Sequence, residues 1–182
     1  MNALNNVDLP LTKFIFSLLP HTILINKFFS FFSLEGNSFF IWILIIAVVI
    51  IIEEKVSPGI QKKDINFILY FIVSFAVTFV LVNYVLKNIT HRSRPTISLS
   101  SHCPKDYSFP SSHAATAFAA ATILANFDRK RRWFYYLTAF LISLSRIYLG
   151  CHYLFDVVSG AIIGIIISRL LLLLDKKDFK LP

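Results

Sequence analysis

Charge is what this sequence has little of. Ten acidic and eighteen basic residues make up 15% of its 182, against roughly 25% in an ordinary soluble domain. With 56% hydrophobic residues and a mean hydropathy of +0.68, the chain is too apolar for a soluble fold and has room for about one domain. Cysteine is nearly missing: Cys103 and Cys151 are the only two, which excludes a disulfide framework and a Cys-x-x-Cys metal or redox site. They could pair if both faced an oxidising compartment, but isolated thiols are the favoured reading. The opening residues, MNALNNVDLPLTK, lack a basic n-region, and the apolar piece after them is broken at Pro20, so no cleavable signal peptide is expected. Gly/Ser linkers, low-complexity tracts and internal repeats are absent, and one unit over residues 1–182 is the expected organisation.

What the chain does have is long apolar runs. A membrane-spanning helix needs about 20 mostly apolar residues. Runs at 39–52, 65–86, 114–127, 133–149 and 157–174 meet or approach that, the first and third by borrowing polar neighbours. The expectation is therefore an all-α polytopic membrane bundle of about five or six transmembrane helices. Residues 14–34 are interrupted by Pro20, His21, Asn26 and Lys27, which favours an interfacial amphipathic pair within an N-terminal segment 1–36 over a sixth span. The transmembrane core would then be 37–182.

The scarce charges gather between the runs. Lys55, Lys62, Lys63, Arg129, Lys130, Arg131, Arg132, Lys176, Lys177 and Lys180 fall on one face by alternation, against Lys87, Arg92, Arg94 and Lys105 on the other. Positive residues mark the cytoplasmic side, so the first face is expected inside, in a bacterial cytoplasmic membrane. A net charge of +8 suits that orientation and anionic lipid better than nucleic acid, which is not expected as a partner.

Three polar groupings share the opposite face: KNITHRSRP from Lys87 to Pro95, PSSH from Pro110 to His113, and SRIYLGCHYLFD from Ser145 to Asp156. If the third is helical, Ser145, His152 and Asp156 lie on one stripe at about 100° per residue. If the helix stops near Gly150, His152 sits on a turn and Asp156 opens the next helix. In both versions Asp156 can reach one imidazole nitrogen of His152, leaving the other free as a nucleophile or base. Phosphoryl transfer spreads negative charge over three oxygens, and fixed cations with backbone N–H groups stabilise it. Lys87, Arg94 and Arg146 can supply the cations, the PSSH helix start N–H groups and the Ser111 hydroxyl. His113 and His152 can divide the roles of acid and attacking group without a metal or other cofactor.

Each part has a plainer explanation: Lys87 as a snorkelling anchor, PSSH as a helix cap, His152 and Asp156 as a helix-face pair. Their coincidence on one face favours a site. His21, His91 and His102 read as interfacial or loop residues, and Arg92 as solvated loop.

K-x6-RP, PSSH and SR-x5-H-x3-D resemble the three-part signature of the type 2 phosphatidic acid phosphatase superfamily. The resemblance implies a helical membrane fold and metal-independent hydrolysis of a phosphate ester on a lipid at the outer face. It implies that His152 is the nucleophile forming a phosphohistidine, that Asp156 orients it, and that His113 protonates the leaving group and then activates water. Lys87, Arg94, Ser111, Ser112 and Arg146 would hold the phosphate, with Ser145 and Pro95 shaping the site. The family's second motif usually reads Pro-Ser-Gly-His, so Ser112 is a departure that bears on fine geometry. Phosphatidic acid, phosphatidylglycerol phosphate, undecaprenyl diphosphate and lipid A are the candidate substrates. The alternative is an anionic-lipid transporter or binding protein that uses the same cations without chemistry.

Overall fold

The computed structural model describes residues 2–33, 37–97 and 103–174; His102, Lys176, Lys177 and Lys180 lie outside the described residues. Every regular element among the described residues is helical: α1 (Asn2–Leu18), α2 (Ile23–Ser33), α3 (Asn37–Val56), α4 (Lys62–Val80), α5 (Lys87–Thr90), α6 (Ser112–Phe127), α7 (Arg132–Tyr148) and α8 (Leu154–Leu174). A π-helical stretch, Leu81–Leu86, joins α4 to α5, and a 3₁₀ turn, Arg129–Arg131, precedes α7.

Helix α6 is the axis of the bundle, packed by α4, α7 and α8. Its alanines explain why. Ala114, Ala115, Ala117, Ala119, Ala120 and Ala121 are all buried, and such short side chains let neighbouring backbones approach closely where no hydrophobic drive exists between helices in lipid. Helix α8 completes the fit with Gly160 and Gly164. A Cβ on Gly164 would collide with the Ala115 carbonyl, and one on Gly160 with the Ser111 carbonyl. At the same seam the Ser168 hydroxyl lies 2.7 Å from that of Ser74 and donates to the carbonyls of Gly164 and Ala119 at 2.8 and 3.1 Å. Towards the basic end the core becomes aromatic, with Trp42, Phe67, Phe71 and Tyr135 buried. There Asp128 accepts from the Tyr135 hydroxyl and from Arg131, both at 2.6 Å.

Among the described residues, two helices are long and apolar enough to cross a membrane: the continuous 62–90 rod of 29 residues and α8 with 21, with a third if α2 and α3 count as one bent span. Helices α6 and α7 have 16 and 17 residues. At 1.5 Å per residue these reach about 24 to 26 Å, short of a hydrocarbon core of about 30 Å. Five or six spans therefore exceed what helix length alone supports, because the polar site shortens α6 and α7 at one end.

The N-terminal residues do more than an interfacial segment needs. Helix α1 packs on α7 and α8, and α2 packs on α7. Asp8 and Thr12 of α1 and Ser33 of α2 are buried. The cysteines correct the expectation of isolated thiols: Cys103 and Cys151 form a disulfide with Cα atoms 5.4 Å apart. Both lie in loops that the fold brings to one end of the bundle, a proximity that spacing in sequence does not reveal.

Gly164→Ala should destabilise the protein by about 1–3 kcal/mol, the usual effect of overpacking. Ile162→Ala, on a half-exposed position of the same helix, should have much less effect. Thermal unfolding in detergent compares the two.

Candidate active site

The site is assembled at the end of the bundle where α5, the N-termini of α6 and α8, and the C-terminus of α7 meet. The π-helical stretch places the first cation. Along α4 the buried positions include Thr78 and Val82 at helical spacing. The widened turn then makes the Lys87 N–H donate to the Val82 carbonyl five residues back, so Lys87 returns to the face Val82 occupies. Lys87 is 4% exposed, whereas Val85 and Ile89 point outward. The anchor reading of Lys87 thus fails: its ammonium is paired with Asp106. Single π turns of this kind recur at functional sites.

His91 ends the helix in the left-handed region, with φ 48°. It is exposed, its ring edge-on to Tyr107, and so a loop residue as expected. The turn sends Arg92 inward. Arg92 is not solvated loop but 1% exposed, and its guanidinium reaches Asp156 Oδ1 at 2.6 Å and Asp8 Oδ2 at 2.8 Å. A buried guanidinium in an apolar bundle requires partners of opposite charge, and two carboxylates provide them.

Arg94 faces the reaction centre. Its Nη1 donates to the Cys151 carbonyl at 2.8 Å and lies 3.0 Å from His152 Nε2, its Nε donates to the Asp106 carbonyl at 2.9 Å, and its Nη2 pairs with the Asp106 carboxylate. An arginine can only donate, so Nε2 is the acceptor and carries the lone pair. That leaves the proton on Nδ1, 3.4 Å from Asp156 Oδ2, a separation typical of a catalytic contact before substrate tightens it.

Helix α7 does stop: Gly150 has φ 70°, and the N–H groups of Cys151 and His152 donate back to the Arg146 carbonyl at 3.0 and 3.2 Å. His152 therefore sits on the turn and Asp156 in the first turn of α8. Burial, followed by the positive charges of Arg94, Arg146 and Lys87, holds the His152 imidazole well below the usual histidine range, so it is neutral at neutral pH. Asp106 is itself held below the usual carboxylate range: partial burial opposes ionisation, but the bonds from Lys87 and Arg94 outweigh it.

Arg146 is buried at the end of α7, held by the carbonyl of Ser33 at 2.9 Å and by its hydroxyl. Its charge, with those of Lys87 and Arg94, acts on both His113 and His152, so these five groups share one neighbourhood. Ser111 caps α6, its hydroxyl accepting from the Ala114 N–H at 3.5 Å and its own N–H donating to the Asp156 carbonyl at 2.9 Å. Ser111 is thus a helix cap whose hydroxyl acts there as an acceptor. Ser112 is already helical and donates to Asn83 Oδ1 at 2.7 Å. Its position thus makes no demand for glycine, and its N–H with that of His113 opens the helix without an intrahelical acceptor. Ser145 donates to the Ile142 carbonyl at 2.6 Å and is fully buried, and Pro95 is buried beside the loop. His21 stays peripheral, its ring between Phe16 and Tyr148. A cavity of about 260 Å³ opens beside His113, lined by Ser38, Phe39, Phe75, Phe79 and Thr116.

Reasoning from sequence missed four residues: Asp106, Asp8, Arg92 and Ser33. Asp106 had a signal, as the one carboxylate in the 91–109 loop, and Asp8 had another, as the one acid in the first 34 residues. Ser33 had none. Among the described residues no group of three or more His, Cys, Asp or Glu is placed to hold a metal ion.

These parts define a helical membrane protein whose buried histidine, oriented by a carboxylate, faces a cluster of cations fit for an oxyanion. The family follows from comparison: residues 67–180 match the PAP2 superfamily, and the chain belongs to it. An undecaprenyl-diphosphatase of Sulfolobus acidocaldarius is 30% identical over 147 residues, 80% of this chain and 68% of that protein. A lipid A 4'-phosphatase of Bacteroides thetaiotaomicron is 51% identical over 61 residues, but this stretch is only 27% of its length. The bacitracin transport permease BcrC of Bacillus licheniformis, at 38% identity, is matched over 30% of its length. The crystal structure of Aquifex aeolicus LpxE aligns with a TM-score of 0.64 at 31% identity, covering 91% of this chain and 94% of that one. A phosphatidylglycerolphosphate phosphatase from Bacillus subtilis shares the fold, with a TM-score of 0.68 at 24% identity over 100% of this chain and 90% of that one.

Asp106 bridges Lys87 and Arg94 as an anion on both cations. Asp106→Asn should therefore tighten orthophosphate binding, by about tenfold or less given how exposed the carboxylate is. Titration calorimetry checks this, and weaker binding would mean that Asp106 holds the cations in place instead of competing for them.

Proposed function

We propose that the protein is an integral membrane lipid phosphatase, and that it cleaves a phosphate ester at the outer face of a bacterial cytoplasmic membrane through a phosphohistidine. The observation that carries the reading is the unprotonated Nε2 of a buried, neutral His152, which points at Arg94 while Nδ1 faces Asp156. A neutral imidazole with its free nitrogen among cations suits in-line attack on phosphorus.

In the first step His152 Nε2 bonds to phosphorus, the bond from phosphorus to the lipid oxygen breaks, and His113 gives its proton to that oxygen. In the second, His113 takes a proton from water, whose oxygen bonds to phosphorus as the Nε2 bond breaks, and inorganic phosphate leaves. Lys87, Arg94 and Arg146 balance the charge on the transferring oxygens, assisted by the N–H groups of Ser112 and His113. The apolar cavity beside His113 suits the hydrocarbon of a leaving lipid. The basic loops at the opposite end and the disulfide at the site end support an outward-facing site, since disulfides persist in oxidising compartments. Five crossings, with α6 and α7 completed by their flanking residues, agree with that orientation. Relatives named for undecaprenyl diphosphate, lipid A and phosphatidylglycerol phosphate support the lipid class and favour no single member of it.

The purified protein in detergent should release phosphate from short-chain phosphatidate or an isoprenyl diphosphate, resist EDTA and be inhibited by vanadate. His152→Ala should abolish turnover, and Arg94→Gln should raise the acid limb of the kcat/KM profile, because the cation nearest Nε2 is gone. Stoichiometric lipid binding without turnover across a substrate panel would instead favour the transporter or binding reading, which leaves the His152 and Asp156 pairing idle.

A further inference from the structure

The proposed mechanism gives no task to Asp8, Asn5 or Arg92, yet they form a polar cluster in which Asp8 and Arg92 are buried and Asn5 is partly so. Arg92 Nη1 donates to Asp156 Oδ1 at 2.6 Å, Nη2 to Asp8 Oδ2 and Asn5 Oδ1 at 2.8 Å each, and Nε to Asn5 Oδ1 at 3.1 Å. The guanidinium lies 4.0 Å above the Tyr153 ring. Asp8 also caps α8 from another helix: its Oδ1 accepts from the Phe155 N–H at 3.1 Å, while Thr12 takes the Leu154 N–H at 2.9 Å. Asp156 Oδ2, the oxygen facing His152, accepts from the Tyr153 N–H at 3.0 Å. Both carboxylates are fully buried.

The charges in this cluster do not cancel. With both carboxylates ionised, two negative charges share one guanidinium, which leaves one negative charge in excess. With Asp156 alone on Arg92, the pair would be neutral and offer nothing further to the imidazole. When a neutral imidazole protonated at Nδ1 takes a phosphoryl group on Nε2, its ring becomes cationic. The groups facing that ring from α5, the 91–109 loop, α6 and α7 are Lys87, Arg94, Asp106, His113 and Arg146. All but Asp106 are cations or can become so, and Asp106 is already paired with Lys87 and Arg94.

We infer that Asp8 and Arg92 are positioning residues of the reaction: they fix Asp156 and supply, from α1, the counter-charge to the imidazolium formed on His152. This rests on the phosphatase reading. It makes the N-terminal helix part of the active site and not only a membrane-lying segment.

Asp8→Asn keeps size but removes the charge and one of the two acceptor oxygens. Its kcat should fall by about ten- to a hundredfold, in the range of one misplaced catalytic group, with KM changed less than about twofold because the phosphate cations are untouched. The acid limb of kcat/KM should move to lower pH, since losing a negative charge disfavours the imidazolium. Asn5→Asp puts a carboxylate on the same guanidinium. Alone it should move the limb to higher pH, and combined with Asp8→Asn it should restore both kcat and the limb. If Asp8→Asn does not fold, Asn5→Asp alone decides. A limb that stays fixed in every folded variant, or a loss matched by the fraction of unfolded protein, would overturn the inference. The same shifts, read on the His152 imidazole by [15N]histidine NMR with His152→Gln for assignment, need no turnover. If the wild type released no phosphate, the phosphatase reading would fail while the NMR shifts still judged the role of Asp8.

Discussion

The buried Arg92 guanidinium is met by two carboxylates, and much of this site follows from how it is met. One partner, Asp156, comes from the first turn of α8 and has its other carboxylate oxygen 3.4 Å from His152 Nδ1. The other, Asp8, comes from α1. Removing Arg92 would leave both carboxylates in low dielectric without their counter-charge, and breaking a buried pair costs about 3–5 kcal/mol. The same pair of contacts docks α1 against α7 and α8, because Asp8 and Thr12 also satisfy the open N–H groups at the start of α8. Docking and chemistry are therefore one interaction seen from two sides.

The other cations also meet oxygen partners within the protein. Lys87 and Arg94 share Asp106, which lies on the loop that the disulfide ties to the turn carrying His152. Arg146 is satisfied by Ser33 of α2. Each cation of the site thus has a protein partner from a distant part of the sequence, and the reach of the site extends from α1 to α8.

Much of this was legible in sequence and some was not. Apolar runs located the helices to within a few residues, and loop parity brought Lys87, Arg94, His113, Arg146, His152 and Asp156 to one end. The spacing of His152 and Asp156 was informative because either a helix or a turn at Gly150 lets them meet. Arg92 was illegible because its direction depends on His91 adopting a left-handed conformation, which HRSRP does not announce. Burial of Lys87 depends on a π turn, and an ordinary helical period over 81–87 places it elsewhere. The disulfide and the roles of Asp8 and Ser33 are long-range contacts, which one sequence cannot supply. Helix count was the weakest inference, since α6 and α7 mix apolar length with residues committed to the site.

The disulfide closes a ring around residues 103–151 that contains the whole of α6 and α7. The helix start at Ser112, the 3₁₀ turn at the opposite end of the bundle and Arg146 all lie inside that covalent loop, while Lys87 and Arg94 lie outside it. A single nick in the basic 128–131 turn would leave both fragments joined beside His152, so the molecule would separate into two chains only on reduction.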